Sequence, residues 1–245
     1  LIFDAEATIG VEYRKENARF EALVGRVGRH EVSAFGIAKV PIGKRTRVTY
    51  GMRLDDFSDL ESIRREQWGI SWTPVPALQL RAAYNEAFRS PSLYDLYLPR
   101  FTTPVPLFDA RRREVTSVNF VGGGNPALVP TTGASVNLGV TFETNSAFTT
   151  SLDLWRIRMR ENVSAVSPLI LLANETEAIT GRVIRDAPTP LDEQAGRPGR
   201  LLVVDTSRAN IGRVDARGVD LSIQKRLQTY VGRFTPRLNL TYTDA

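Results

Sequence analysis

The feature that most constrains the fold of this chain is an alternation of apolar and polar residues with a period of two. In the segment that follows Ala77, the apolar positions are Leu78, Leu80, Ala82 and Tyr84, and the polar ones are Gln79, Arg81 and Asn85. Successive side chains of a β-strand point to opposite faces, so the segment is predicted to be a strand with one apolar and one polar face. Such a strand suits either a half-buried soluble sheet or the wall of a membrane barrel.

The same alternation recurs along the chain, and helical periodicity is nowhere comparable. It is found in residues 7–13, 47–54, 67–72, 135–142, 219–224 and 237–242. Two segments, residues 32–40 and 151–160, alternate less regularly, and the second changes phase after Leu154. Either a β-bulge or a strand that continues beyond an apolar band would explain that change. The pattern predicts an all-β chain with roughly nine strands.

The connections between these segments are predicted to have two lengths that alternate strictly. Short links with turn-forming residues fall at residues 41–45, 73–76, 143–146 and 227–232. Longer links fall at residues 14–31, 55–62, 88–133 and 160–215. Long structureless loops are uncommon in compact soluble domains, whereas outer-membrane barrels combine short periplasmic turns with long extracellular loops. The alternation therefore favours an antiparallel transmembrane β-barrel.

The composition is compatible with a barrel and excludes a helical membrane protein. Of the 245 residues, 42% are hydrophobic, which is enough for a core or a lipid-facing belt. The densest apolar run, residues 169–173, is far too short to span a bilayer as a helix. Barrel strands alternate and give no hydropathy peak, in keeping with the mean hydropathy of −0.19. Cysteine is absent, which excludes disulfides and thiolate metal sites.

Arginine carries most of the positive charge. The net charge is +5, and lysine occurs only at Lys15, Lys39, Lys44 and Lys225. One explanation is the base composition of a GC-rich genome. The other is that guanidinium groups cover a surface that meets anions.

Several motifs resemble, in the right order, those of the TonB-dependent outer-membrane receptors. Residues 88–93 (FRSPSL) with Asp95, Leu96 and Tyr97 resemble the loop that these receptors carry after an ascending strand. Residues 124–130 (GNPALVP) and the Leu138-Gly139 pair resemble the next descending strand and its approach. Further matches are residues 10–14, 35–41, 154–157, 162–164, 210–212 and 218–221. The resemblance covers nearly the whole chain, although Thr131 and Thr132 stand where the family usually places an acidic residue.

The resemblance implies that residues 1–245 are an interior part of the barrel domain of a longer receptor. The chain opens at Leu1 with no signal-like segment and stops at Ala245 in or just after a strand. A plug domain, its energy-coupling box and the C-terminal strands are expected outside this chain. The complete barrel would have about 22 strands, as plugged outer-membrane transporters do.

The resemblance also implies active import of a scarce nutrient across the outer membrane of a Gram-negative bacterium. The nutrient would be a ferric siderophore, a vitamin or an oligosaccharide. The expected partners are this small-molecule ligand, TonB through the plug domain, and the outer-membrane lipid with its lipopolysaccharide. No cofactor, metal ion or nucleic acid is expected.

Arginine and aromatic residues of the two longest loops are the candidate ligand-binding residues. Those selected are Tyr94, Tyr97, Arg100, Arg111, Arg112, Arg113, Arg182 and Arg185. Their positive field would attract an anionic ferric chelate, and the tyrosines would stack on a sugar or a catechol. The alternative is that the arginines pair with loop carboxylates or bind lipopolysaccharide phosphates, and that the aromatic residues pack the loops. The carboxylates considered are Asp109, Glu114, Asp186, Asp192 and Glu193.

Other protein classes compete with this interpretation. An enzyme would need a convergent nucleophile and base, but the chain has a single histidine, His30, and neither a Gly-x-Ser-x-Gly motif nor metal-ligand spacing. We therefore expect no catalysis. A passive porin or adhesion barrel would need both ends of the sheet to pair, and a soluble β-sandwich would not need alternating short and long links.

Overall fold

In a computed structural model of the chain, the described residues are 4–20, 26–144, 147–175 and 181–244. Nine long strands form the main sheet: β1 (Glu6–Arg19), β2 (Arg26–Ile42), β3 (Thr46–Phe57), β4 (Ile63–Val75), β5 (Leu78–Arg89), β8 (Thr131–Thr144), β9 (Phe148–Arg160), β14 (Val214–Lys225) and β17 (Arg237–Asp244). The shorter elements are α1 (Leu93–Tyr97), β6 (Phe101–Asp109), β7 (Glu114–Gly122), β10 (Val163–Ala165), α2 (Pro168–Ala173), β11 (Val183–Arg185), α3 (Pro190–Gln194), β12 (Leu201–Asp205), β13 (Arg208–Asn210), β15 (Leu227–Thr229) and β16 (Gly232–Phe234).

The main sheet is an antiparallel meander in the order β1-β2-β3-β4-β5-β8-β9-β14-β17. Each long strand pairs with the next long strand along the chain, so all connections of one kind lie at the same end of the sheet. The predicted all-β class and strand number are confirmed. Among the described strands, β1 and β17 are the two edges, and the sheet does not close into a barrel. No helix in the described part of the chain is long and apolar enough to cross a bilayer.

The two faces of the main sheet differ in the way that the alternation predicts. The register places Leu80 beside Val140, and Val140 beside Leu152, on one face. Large apolar side chains on this face are exposed; Leu138, for example, is 50% exposed. The other face carries the polar residues between them, among them Arg81, which bonds Asp153 through Nε and Nη2. We call these the apolar face and the polar face.

Gly139 occupies the one position on β8 that the ion pair between Arg81 and Asp153 must cross. The three residues lie side by side on β5, β8 and β9. A Cβ atom at Gly139 would lie 2.3 Å from Asp153 Oδ1 and 2.5 Å from Arg81 Nε. Glycine in this strand is therefore explained by the close approach of two side chains over the backbone.

Several predicted connections differ from the structure. The predicted link at residues 14–31 is wrong, because β1 continues to Arg19 and β2 begins at Arg26; residues 21–25 of that link lie outside the described residues. The link at residues 227–232 is part of a wider connection that contains the ribbon β15-β16. Of the turn predicted at residues 143–146, residues 145–146 lie outside the described residues.

The phase change in β9 is not a bulge. The register of β9 with both neighbours, β8 and β14, runs without a shift from Phe148 to Met159. Above Leu154 the apolar face of β9 carries Arg156 and Arg158, and the polar face carries Trp155 and Ile157. The strand therefore continues regularly beyond the apolar band.

Candidate functional site

The two longest connections do not form separate loops but one folded unit at the loop end of the sheet. We call the described parts of residues 90–130 and 161–213 the loop unit. The parallel pairing of β7 with β12 joins the first connection to the second within the sheet β11-β12-β7-β6. Their shared core consists of Val118 from the first connection and Val166, Leu171, Leu201 and Val204 from the second. Neither connection can therefore keep this core without the other.

The motif residues 90–98 and 124–130 hold the loop unit on the main sheet. Ser92 caps α1 by accepting a hydrogen bond from the Asp95 amide (3.1 Å), and the Ser92 amide donates one to the Asp95 carboxylate (3.3 Å). The Gly124 amide donates to the Leu98 carbonyl (2.9 Å), and a Cβ atom at Gly124 would lie 2.7 Å from the backbone of Leu96. The Gly-Asn-Pro motif is thus explained by close packing against α1.

Asn125 and Thr131 extend this anchoring to the second connection. The Asn125 amide side chain donates to the Arg208 carbonyl (3.1 Å), and its oxygen accepts from the Ala127 amide (3.0 Å). Thr131, which is 2% exposed, donates its hydroxyl hydrogen to the Glu161 carbonyl (3.0 Å). A carboxylate could not donate in that place, so threonine suits this contact.

Arg185 lies at the centre of the first ion-pair cluster of the loop unit. Its guanidinium bonds Asp109 (2.6 and 3.1 Å) and Glu175 (3.0 Å), and Arg111 contacts Glu175 as well. Burial opposes the ionisation of Asp109, but hydrogen bonds from Arg185 and from the Arg111 amide leave its pKa below the ordinary value. This cluster joins β6 and β11 to the chain after α2.

Arg112 lies in a second cluster with Asp192 and Glu114. Its Nη1 donates to Asp192 (2.8 Å) and to the Pro198 carbonyl (2.7 Å), and its Nε donates to Glu114 (2.7 Å). Hydrogen bonds from the Thr189 hydroxyl and amide, and then from Arg112 and Arg197, lower the pKa of Asp192. Asp192 also completes the capping box of α3, so the cluster fixes this helix to the β6-β7 hairpin.

The remaining candidate arginines differ in the partners of their guanidinium groups. Arg182 donates to three backbone carbonyls, those of Asp205, Ser207 and Arg208. Arg100 pairs with Asp205 (2.7 Å), although its side chain is 61% exposed. Arg113 has a left-handed backbone conformation (φ 56°) in the β6-β7 turn and is exposed. No carboxylate in the described ranges pairs with Arg113.

The two candidate tyrosines have different surroundings. Tyr94 is 50% exposed, and its ring contacts Phe20 (6.2 Å) and the Arg208 guanidinium (5.9 Å). Tyr97 donates to Asp59 Oδ2 (3.2 Å), and burial together with Asp59 raises the pKa of its hydroxyl. Tyr94 therefore stays half exposed beside Phe20 and Arg208, whereas Tyr97 joins α1 to the connection between β3 and β4.

The structure contains a buried arginine, Arg29, that the sequence interpretation missed. Arg29 is 2% exposed; it bonds Asp59 (2.8 and 3.1 Å) and donates to the Pro91 carbonyl (2.9 Å). It thereby connects β2 with the FRSPSL motif and with Asp59. No local signal identifies it, because the alternation places residue 29 in a predicted link. His30, the one histidine, lies within 2.9 Å of the Tyr13 hydroxyl and belongs to no catalytic cluster among the described residues.

The candidate surface is therefore the solvent-facing side of the loop unit, whose exposed cationic and aromatic groups include Tyr94, Arg100, Phe101 and Arg113. Such groups can attract an anion and stack on a planar ring. In the described ranges, no three His, Asp or Glu residues are arranged to hold a metal ion. Most of the charge of the loop unit is compensated internally.

Comparison with known proteins identifies relatives. Residues 2–245 match the family described as TonB dependent receptor-like, beta-barrel. A search of curated proteins found no match. The siderophore receptor PirA from Pseudomonas aeruginosa superposes with a TM-score of 0.67 at 16% identity, covering 99% of this chain and 40% of that one. A mutant of the ferric enterobactin receptor PfeA from Pseudomonas aeruginosa, in complex with enterobactin, gives 0.69 at 14% identity, with 98% and 34% covered.

A protein with a different cargo has the same fold. The RagAB peptide importer superposes with a TM-score of 0.60 at 14% identity, covering 98% of this chain and 28% of that one. At these identities the likeness shows the fold alone. This chain spans 40% or less of the length of each of these three proteins.

Proposed function

Because this chain belongs to the TonB-dependent receptor-like β-barrel family, we propose that it forms part of the barrel wall and loop surface of an outer-membrane receptor. Residues 1–245 would be a section of the barrel domain, with the plug domain and further strands supplied elsewhere in the protein. The observation that carries this proposal is a two-faced antiparallel sheet whose exposed face is apolar and whose folded loops share one end.

The physical argument for a membrane location rests on the apolar face. Its large apolar side chains have no protein cover in the described residues, and water would solvate them poorly. A hydrocarbon bilayer covers such a face, and the continuous hydrogen-bonded ladder satisfies the backbone between neighbouring strands. The polar face would then line the interior of the barrel.

The cargo is a scarce nutrient, and its import is driven through TonB acting on the plug domain. An anionic ferric siderophore fits the exposed cations of the loop unit better than a neutral cargo does, because Arg100 and Arg113 keep accessible charge. A vitamin or an oligosaccharide would depend more on Tyr94 and Phe101. A passive porin or an adhesion barrel would need no energy coupling at all.

Uptake by the complete receptor tests the proposal. Cells that express it as their only receptor should accumulate iron from a ferric siderophore, and accumulation should stop when TonB is deleted or the proton-motive force is collapsed. The protein should fractionate with outer-membrane markers. The double substitution Arg100→Gln with Arg113→Gln should raise the half-saturating concentration of an anionic siderophore. Uptake that continues without TonB would favour a passive barrel and contradict the proposal.

A further inference from the structure

A cavity of about 540 Å³ lies on the apolar face of the sheet, directly above the apolar band. Its floor consists of the small residues Thr132, Gly133 and Ala134 of β8. Three arginines of β9, Arg156, Arg158 and Arg160, line one side, and Tyr84 and Glu86 of β5 line the other. The function proposed above leaves this cavity unexplained, because the cavity opens on the face away from the barrel interior.

The register shows why the arginines stand there. Tyr84, Val136 and Arg156 lie side by side on β5, β8 and β9, and Glu86, Ala134 and Arg158 form the next row. One row below Arg156, the residues are Ala82, Leu138 and Leu154. The face therefore changes within a single row from purely apolar to cationic. Arg160 follows Arg156 by four positions along the strand, a distance of about 13 Å.

The seam between β4 and β5 adds a fourth arginine. Pairing of these strands ends at Gln67 and Asn85, although β4 begins at Ile63 and β5 continues to Arg89. Arg65 lies in this seam, stacks over Phe88 at 5.3 Å and reaches the same cavity. Its Nε atom is buried and has no hydrogen-bond partner. No carboxylate in the described ranges pairs with Arg65, whose Nη1 donates only to the Arg64 carbonyl, so Arg65 adds an uncompensated positive charge beside the cavity.

The carboxylates near the cavity are already occupied. Glu86 accepts hydrogen bonds from the Tyr84 hydroxyl (2.9 Å) and from the Glu66 amide (3.1 Å). Asp215 binds Arg156 through both oxygens (2.8 and 2.6 Å) and lies 3.4 Å from Arg158. Four guanidinium groups thus face two carboxylates, and no acceptor in the described ranges bonds Arg160. The cavity has an excess of positive charge.

From this geometry we propose that the cavity binds the phosphorylated head group of an outer-leaflet glycolipid. Arginine forks match phosphate oxygens, and a phosphate monoester carries enough charge to balance the excess. The apolar rows directly below, including Val136 and Leu138, would contact the acyl chains of the same molecule. A lipid is therefore favoured over a free phosphate ion, because the ion has no apolar part that would contact these rows. This site rests on the membrane location proposed above.

Binding to the complete receptor in neutral detergent tests the site. The probes are bis-phosphorylated lipid A, the same lipid after removal of both phosphates, and inorganic phosphate. Bis-phosphorylated lipid A should bind, and the double substitution Arg158→Gln with Arg160→Gln should weaken this binding by at least about tenfold, since hydrogen bonds to charged groups are among the stronger ones. Both residues are chosen because Asp215 already occupies Arg156.

The control is Arg45→Gln, which removes one arginine charge, as Arg160→Gln alone does, from the turn at the opposite end of the sheet and should leave lipid binding unchanged. Heat-modifiable gel migration checks that each variant is folded. If the double variant does not fold, Arg160→Gln alone replaces it, because this substitution breaks no observed contact.

Three results would each overturn the site. They are equal affinity for the dephosphorylated lipid, displacement of the lipid by equally low concentrations of inorganic phosphate, and equal binding by the double variant and Arg45→Gln. If the complete receptor binds phosphorylated lipid but does not take up the nutrient, the proposed function alone is contradicted. If it takes up the nutrient but binds the lipid equally well without its phosphates, this site alone is contradicted.

Discussion

At the scale of single residues, the arginines of the loop unit mainly hold the loops together. Arg112 and Arg185 are largely buried and have carboxylates on more than one side, whereas Arg111 is half exposed and shares Glu175 with Arg185. The alternative raised from the sequence, that these arginines pair with loop carboxylates, describes their contacts with Asp109, Glu114 and Asp192. No ion pair with Asp186 or Glu193 is found in the described residues. A role in ligand binding stays a prediction for the exposed Arg100, Arg113 and Tyr94.

Replacing Arg185 with Met should destabilise the loop unit by about 3–5 kcal/mol, because Asp109 would be left buried and unpaired. Replacing Arg111 with Met should cost about 0–1 kcal/mol, since its pair is partly exposed and Glu175 keeps Arg185. Hydrogen exchange of the amides in β11 and β12 of the complete receptor measures the difference. Equal effects of the two substitutions would contradict the central position of Arg185.

At the scale of elements, each strand belongs to two environments at once. Leu138 and Asn137 are neighbours on β8, yet the register places Leu138 beside Ala82 and Leu154 on the apolar face and Asn137 beside Ala83 and Trp155 on the polar face. The pairing register of β8 with β9 has no shift, so once the face of one residue is known, the face of all the others on these two strands follows.

Substitution of Val140 by Arg should cost about 2–4 kcal/mol of folding stability in lipid vesicles if the apolar face contacts hydrocarbon, because Val140 lies two rows below the row of Arg156 and so nearer the midplane of the apolar band. Arg at Asn137 should cost less, because that side chain faces the wet interior. Asn137 is a better control than Thr141, whose hydroxyl already accepts a hydrogen bond from Arg81 (3.1 Å). Refolding titrations of the complete receptor give both values, and a larger penalty at Asn137 would reverse the assignment of the faces.

At the scale of the whole molecule, one cooperative loop unit stands on one end of a sheet that is otherwise a simple meander. The first connection supplies β6 and β7, and the second supplies β12, the strand that pairs with β7. We therefore propose that any ligand selection by these connections, which is inferred from their length and arginine content, depends on both of them together.

Deletion of the β6-β7 hairpin, residues 101–122, should unfold the second connection as well, because Val118 and the partner of β12 would be lost. We expect protease cleavage within residues 181–213 and loss of nutrient uptake, while barrel assembly in the membrane is retained. Removing the ribbon β15-β16 at the opposite end is the control and should change neither. A second connection that resists protease in the hairpin deletion would show that the two fold independently.

The sequence by itself determined the strands, their two faces and the end of the sheet that carries the long connections. Alternation and turn chemistry are properties of neighbouring residues, so they can be seen without a fold. The family resemblance was equally local, because its motifs are short segments such as FRSPSL and GNPALVP. The prediction failed at residues 14–31, where charged residues continue two strands beyond the apolar band and the alternation that marks a strand is lost.

Only the tertiary structure decided which side chains meet. Arg112 and the Pro198 carbonyl come from different connections, and Arg29 lies 62 residues from Pro91. The cationic cavity above the apolar band depends on the register of three strands and on the seam at Arg65. Such contacts arise when distant segments pack together, and the positions of residues along the chain do not specify that packing.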